Sequence, residues 1–431
     1  MRPLFASAAV LIAALLSAVT APNVFAQNKG EFQSRGNLER TGSFPASGLP
    51  QLNGVAWQLN PGIRDTGQFA LAEGLLIFGN KTDLGFLVAM DANSGKVVWR
   101  REPGQMALPP AISGGIVFGG TLVFPDTNSK SPVKAISDEA AEIAKRHNQG
   151  VSTGSIFARS LKTGNELWRR DLLADQSRTP LTAVGGRVYL TLGADFVALE
   201  AATGKLLWKF QVATKTAACV SYPAIANGVA YVTGAGRYLY ALDVESGREL
   251  WRVQPTNNDP RDNNTCFGQP MLADGLLISK VGYTVNALDP ANGSVRWQTR
   301  IPAKSSSNMP TPTISNGVVL VPESGVGIWG LRLATGETIW TFPFDIGLTR
   351  AANGILYFTG GDNRPPPVRR GRGVIYAMDI ETRRILWSHD IAPINAASPS
   401  TPIEPYWAPG TLMPADNALF YDTQGIVAKL R

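Results

Sequence analysis

The chain has 431 residues, 44% of them hydrophobic, and a net charge of +7 from 40 lysines and arginines against 33 acidic residues. The basic residues are scattered along the chain instead of gathered on one element, which argues against a nucleic-acid-binding face. With two histidines, two cysteines and no His/Cys grouping at ligand spacing, no metal site is expected, and neither is a histidine-based hydrolase; His147 and His389 read as plain surface residues.

In chain order, residues 1–26 read as a secretory signal. Arg2 gives the charged start, Leu4 to Val19 the apolar stretch, and Val24-Phe25-Ala26 the small-residue cleavage site before Gln27. The apolar stretch is short for a span, no other segment approaches the ~20 apolar residues a membrane helix needs, and no cysteine follows the signal to carry a lipid. The expectation is a soluble periplasmic or secreted protein with no membrane span or lipid anchor. Residues 27–50 read as loop.

From there one phrase returns: a small residue, then a tryptophan ten positions later. The pairs are Ala89/Trp99, Ala158/Trp168, Ala198/Trp208, Ala241/Trp251, Ala287/Trp297, Gly330/Trp340 and Ala377/Trp387. Gly95, Gly164, Gly204, Gly247, Gly293 and Gly336 each stand four residues before their tryptophan, while Arg383 replaces the glycine before Trp387. Short strands recurring with a period of about 40 to 50 residues indicate a β-propeller. In Ala241 to Trp251, Asp243 can cap the turn backbone and Gly247 supplies a positive φ. Trp251 then falls on the outer strand, where it packs between blades with its indole N–H on a backbone carbonyl. Arg383 is accordingly expected in a left-handed conformation. A second pattern, proline, five steps, glycine and an apolar run, marks the inner strands, as in Pro223/Gly228, Pro270/Gly275 and Pro312/Gly317.

Trp57 has no strands before it, and Ala418 to Leu430 reads as two strands with no tryptophan after them. Joining the two ends makes a single domain over 27–431: an all-β, eight-bladed propeller of four-stranded blades in which Val55-Ala56-Trp57 completes the last blade. Closure of this kind removes exposed sheet edges. Two insertions interrupt the repeat. One, about residues 122–152 in blade two, contains a short helix predicted over Ser137 to His147. The other, residues 361–373 in blade seven, is rich in proline and arginine.

Residues just before the inner strands should ring one mouth of the channel. Arg178, Lys215, Asn264, Asn308 and Arg350 would make a polar, mildly cationic funnel for a small polar or anionic ligand. Cys219 and Cys266 each precede an aligned proline by four residues, so they hold equivalent places on adjacent blades, and a disulfide between them is expected in an oxidising compartment.

The phrase Ala-Leu-Asp-x-x-x-Gly-Lys-x-x-Trp, with the lead-in Arg35 to Gly42, resembles the signature of the pyrroloquinoline quinone (PQQ) enzyme-like propeller family over nearly the whole chain. The resemblance implies the fold and leaves two functions open. Some members are cofactor-free scaffolds of the BamB type. Others are quinoprotein alcohol dehydrogenases that hold PQQ and Ca²⁺ in the funnel. The adjacent cysteine pair of those enzymes is absent here, and so is a Cys-x-x-Cys-His haem motif. Pro260-Arg261-Asp262-Asn263 is similar to their catalytic segment, which would make Asp262 the general base, with Glu323 and Asn308 as calcium candidates. The reading adopted is a non-catalytic binding or assembly scaffold with no cofactor, engaging a protein partner or a small ligand through one face. The alternative is a PQQ- and calcium-dependent alcohol dehydrogenase.

Overall fold

A computed structural model describes residues 35–60, 68–79, 85–102, 106–123, 153–172, 181–192, 194–212, 222–234, 238–254, 268–302, 311–323, 326–343, 346–360, 373–391, 410–423 and 426–431. These form eight antiparallel four-stranded sheets arranged as an eight-bladed propeller, with no helix among the described residues. Blade one consists of strands Ala70–Ala72, Leu75–Gly79, Leu87–Asp91 and Val97–Arg101. Blades two to seven follow in sequence over residues 106–172, 182–211, 224–253, 271–300, 313–342 and 346–390. Blade eight takes Thr411–Ala415, Ala418–Thr423 and Ile426–Leu430 from the C-terminal region and Val55–Leu59 from the N-terminal region.

The repeat is physically transparent in register. Each small residue lies directly across the sheet from its tryptophan: Ala89 from Trp99, Ala198 from Trp208, Ala241 from Trp251. A β-bulge follows at once, turning the outer strand so that the indole leaves its own blade. The ring then lies on the turn glycine of the next blade. A Cβ on Gly247 would stand 2.5 Å from Trp208, and one on Gly336 would stand 2.4 Å from Trp297. Those glycines are required twice over, by φ values of 71° and 74° and by the ring on top of them. Asp243 caps its turn as expected, accepting from Ser246 N–H at 2.8 Å, and the Ser246 hydroxyl and amide together hold its carboxyl below the usual range. The inner hairpins are equally determined. Asn227-Gly228, Asp274-Gly275, Asn316-Gly317 and Asn353-Gly354 all have positive φ at both positions, as two-residue primed turns demand.

Of the eight repeat tryptophans, six donate from Nε1 to a carbonyl of the neighbouring blade, Trp57 to Ala92, Trp99 to Leu161, Trp168 to Ala201, Trp208 to Val244, Trp251 to Pro290 and Trp297 to Leu333, and Trp387 donates to Leu49 of the lead-in. Apolar clusters sit between blades; Tyr189, Phe196 and Trp208 of blade three pack on Ala230, Val232 and Leu242 of blade four.

Closure occurs as expected, with Val55 opposite Leu430 and Trp57 opposite Lys429. The turn that every other blade makes covalently is rebuilt across the chain ends. Asn53 N–H donates to Arg431 O at 2.5 Å, and Arg431 N–H to Gly54 O at 3.0 Å.

The N-terminal stretch departs from expectation. Residues 35–50, expected to be loop, form a seam on the axis. Leu38, Glu39, Thr41 and Gly42 offer their carbonyls to Ile225, Leu272, Ile314 and Ala351, one on each inner strand of blades four to seven, at 2.7 to 3.0 Å. Ser43–Phe44 then adds a parallel fifth strand beside Ile346–Ala352. The inner strands need partners on the axial side, and the lead-in supplies them. His389 is a second departure. It is half-buried, its Nε2 lies 3.2 Å from the Tyr421 hydroxyl of blade eight, and burial holds its pKa below the usual value.

The expected signal (1–26), the helix over Ser137 to His147, the bulk of both insertions and the Cys219/Cys266 pair lie outside the described residues. No described helix is long and apolar enough to cross a membrane.

Candidate functional site on the propeller axis

Of the expected funnel residues, Arg350 is described; Arg178, Lys215, Asn264 and Asn308 lie outside the described residues, as does Asp262. Arg350 lies within the inner strand of blade seven instead of just before it, opposite Tyr357, and is 5% exposed. It does not stand alone on the axis. The lead-in seam brings Arg35 and Arg40 to the same place, 4% and 0% exposed.

Arg40 Nε donates to Pro223 O at 3.1 Å and its terminal nitrogen to Thr182 Oγ1, so it ties blade three to blade four. Its guanidinium lies 5.1 Å from the centre of the Tyr222 ring. Tyr222 reaches past it to Gln68, at the entrance to blade one, at 3.5 Å. Arg35 donates to Pro312 O and, at 3.4 Å, to Arg40 O. Arg350 donates to Thr349 O at 2.8 Å.

Burial dominates the electrostatics. It lowers Arg40 and Arg350 to about 10. Arg35 falls well below the ordinary guanidinium value, through burial first and then the like charge of Arg350, with Arg40 contributing further. Arg35 and Arg40 belong to the lead-in that the sequence marked only as a family feature. Two arginines beside Gly36 and Gly42, Arg35 directly before the first and Arg40 two residues before the second, were the available signal.

Glu323 does not fit a calcium site. It is buried at the end of the second strand of blade six, and its Oε1 accepts from Lys280 Nζ on the second strand of blade five. The side chains are 1% and 3% exposed, so each charge has the other as its counter-ion. A carboxylate already neutralised by an ammonium is a poor ligand for a cation. No group of three or more His, Cys, Asp or Glu among the described residues is arranged to hold a metal ion.

An eight-bladed propeller with tryptophans docked blade to blade, closed by both ends of the chain, defines the class of PQQ-type repeat propellers. The family model described as outer membrane protein assembly factor BamB matches residues 152–321 and 284–431, and the chain belongs to that family. Tetrathionate hydrolase of Acidithiobacillus ferrooxidans is 25% identical over 320 residues, 66% of this chain and 61% of that protein. BamB of Nitrosomonas eutropha is 32% identical over 151 residues, 35% of this chain and 34% of that one. Quinohemoprotein alcohol dehydrogenase ADH IIB of Pseudomonas putida is 26% identical over 206 residues, 45% of this chain and 28% of the enzyme. The chain thus spans less than two thirds of the length of these relatives.

Among solved structures, BamB of Moraxella catarrhalis superposes with a TM-score of 0.59 at 12% identity, over 88% of this chain and 99% of that one. Quinohemoprotein alcohol dehydrogenase ADHIIG of Pseudomonas putida does so at 0.64 and 14%, over 93% and 80%. At such identities the likeness is one of fold alone.

Proposed function

We propose that the protein is an exported, non-catalytic scaffold that holds a protein partner against its outer rim. The observation behind this reading is the distribution of exposed apolar side chains. Val55, Val97, Val98, Leu167, Leu206, Leu207, Leu250 and Val295 are exposed, and all lie on outer strands. They belong to blades eight, one, two, three, four and five, a consecutive run. The outer strands of blades six and seven, Thr338–Phe342 and Ile385–Asp390, carry none. Outer strands present unpaired backbone groups, and an apolar row on such an edge suits a partner that adds a strand or lays an apolar face on it. Membership of the BamB family supports the assembly role, and the sequence of residues 1–26 supports export to the periplasm or beyond.

The test is site-directed cross-linking in the cell envelope. Val98→Asp and Leu207→Asp should abolish an adduct that the wild type forms with a defined partner, while Thr338→Asp should leave it intact. Equal adducts in all three variants would remove the rim from the account. The second reading is a PQQ- and calcium-dependent dehydrogenase. Its support is the likeness to quinohemoprotein enzymes, and the Lys280–Glu323 pair weighs against its calcium.

A further inference from the structure

Arg35 and Arg350 are buried cations on the propeller axis. Among the described residues neither guanidinium meets a carboxylate. Arg35 reaches Pro312 O, Arg40 O at 3.4 Å and the Met271 sulfur at 3.7 Å, and its Nε is buried with no acceptor. For Arg350 the described acceptor is its own neighbour, Thr349 O. A guanidinium offers five N–H donors in a planar fork whose spacing matches the oxygens of phosphate, sulfate or carboxylate. Leaving such donors unfilled in a buried place is costly, and clustering like charges adds to the cost. Burial and the like charge of Arg350 push the Arg35 value down, yet Arg40 and Arg350, at about 10, stay protonated at neutral pH.

We propose that Arg35, Arg40 and Arg350 form, on the propeller axis, a binding site for a small multivalent oxyanion. Two of the three arginines come from the lead-in seam and the third from blade seven, so the site exists only while the seam is seated. An anion bound there ties the seam to the blades that it joins. Backbone carbonyls orient the guanidiniums, Tyr222 supports Arg40 from the ring face, and the ligand supplies the missing negative charge. This site is independent of the rim: either one can fail without the other.

The test uses the purified full chain in chloride buffer, titrated separately with sulfate and with citrate and followed by calorimetry and thermal unfolding. Sodium chloride at matched ionic strength is the control. A saturable heat and a saturable rise in Tm with either anion, absent with chloride, is expected. Stronger binding of sulfate would mark a tetrahedral inorganic ligand, and stronger binding of citrate a polycarboxylate. Arg350→Gln should weaken the anion about tenfold or more while leaving the ligand-free Tm unchanged or higher, because a like charge is gone. Arg350→Lys, which keeps charge but loses the fork, should fall between. If Arg350→Gln fails to fold, Arg350→Lys is read alone. The proposal is overturned if neither anion gives a saturable response, or if affinity is unchanged in the variants that fold.

Discussion

Trp340 presses so closely on Gly330, directly across the sheet, that a Cβ on that glycine would stand 2.4 Å from the indole. In the other covalent repeats the cross-strand residue is alanine, and the rings of Trp99, Trp168, Trp208, Trp251 and Trp297 lean away onto the glycine of the next blade. For Trp340 that next position is Arg383, which has the same left-handed backbone as the glycines, with φ at 62°. The two exceptions to the repeat therefore fall at one interface. There the ring lies close over Gly330 of its own blade while packing on the cluster that holds Met378 and Ile380 of blade seven.

Arg383→Gly should be neutral or stabilising by about 1 kcal/mol, because it relieves a left-handed non-glycine residue. Gly330→Ala should cost about 1 to 3 kcal/mol as overpacking. In the Arg383→Gly background that cost should shrink, since the ring regains its alternative seat. A double-mutant cycle in urea measures the coupling, and additive values would separate the two exceptions.

The Lys280–Glu323 pair gives a prediction of opposite character. Lys280→Met should destabilise by about 3 to 5 kcal/mol by stranding a buried carboxylate, whereas Lys280→Met with Glu323→Leu should recover most of the loss. Denaturant midpoints decide it. A mild effect of the single change would mean that Glu323 finds another partner.

His389 sets an acid-side limit. Its folded pKa lies below the ordinary 6.5, chiefly through burial. A base with a depressed folded pKa contributes stability above its unfolded pKa and loses it as pH falls through the folded one. Tm should therefore decline below about pH 6.5, and His389→Gln should flatten that decline. The turn aspartates, Asp91, Asp243 and Asp379, have depressed values and act in a lower window, below about pH 4. An unchanged decline in His389→Gln would assign it to other groups.

The blades were legible in the sequence because each turn imposes its own residues. Gly247 must adopt a positive φ beneath Trp208, and Ala241 must leave room for Trp251, so the spacing survives in plain view. Closure was legible for the same reason: Trp57 lacked a blade, and Ile426–Leu430 lacked a tryptophan. The axis was not. Arg35 and Arg40 lie in a segment with no repeat and no periodicity, and only the closing of the ring buries them. Glu323 looked like a free oxygen ligand because Lys280, 43 residues away, meets it only across a blade interface. Arg350 was expected just before the inner strand of blade seven, and it lies inside that strand, opposite Tyr357.

Reconstitution tests the central claim, a scaffold in place of an oxidoreductase, most directly. The purified protein is incubated with PQQ and Ca²⁺, desalted, and assayed for dye reduction with primary alcohols. The account predicts no alcohol-dependent dye reduction above the protein-free control. Quinone absorbance retained after desalting, together with alcohol-dependent dye reduction that is lost in Asp262→Asn, would contradict it.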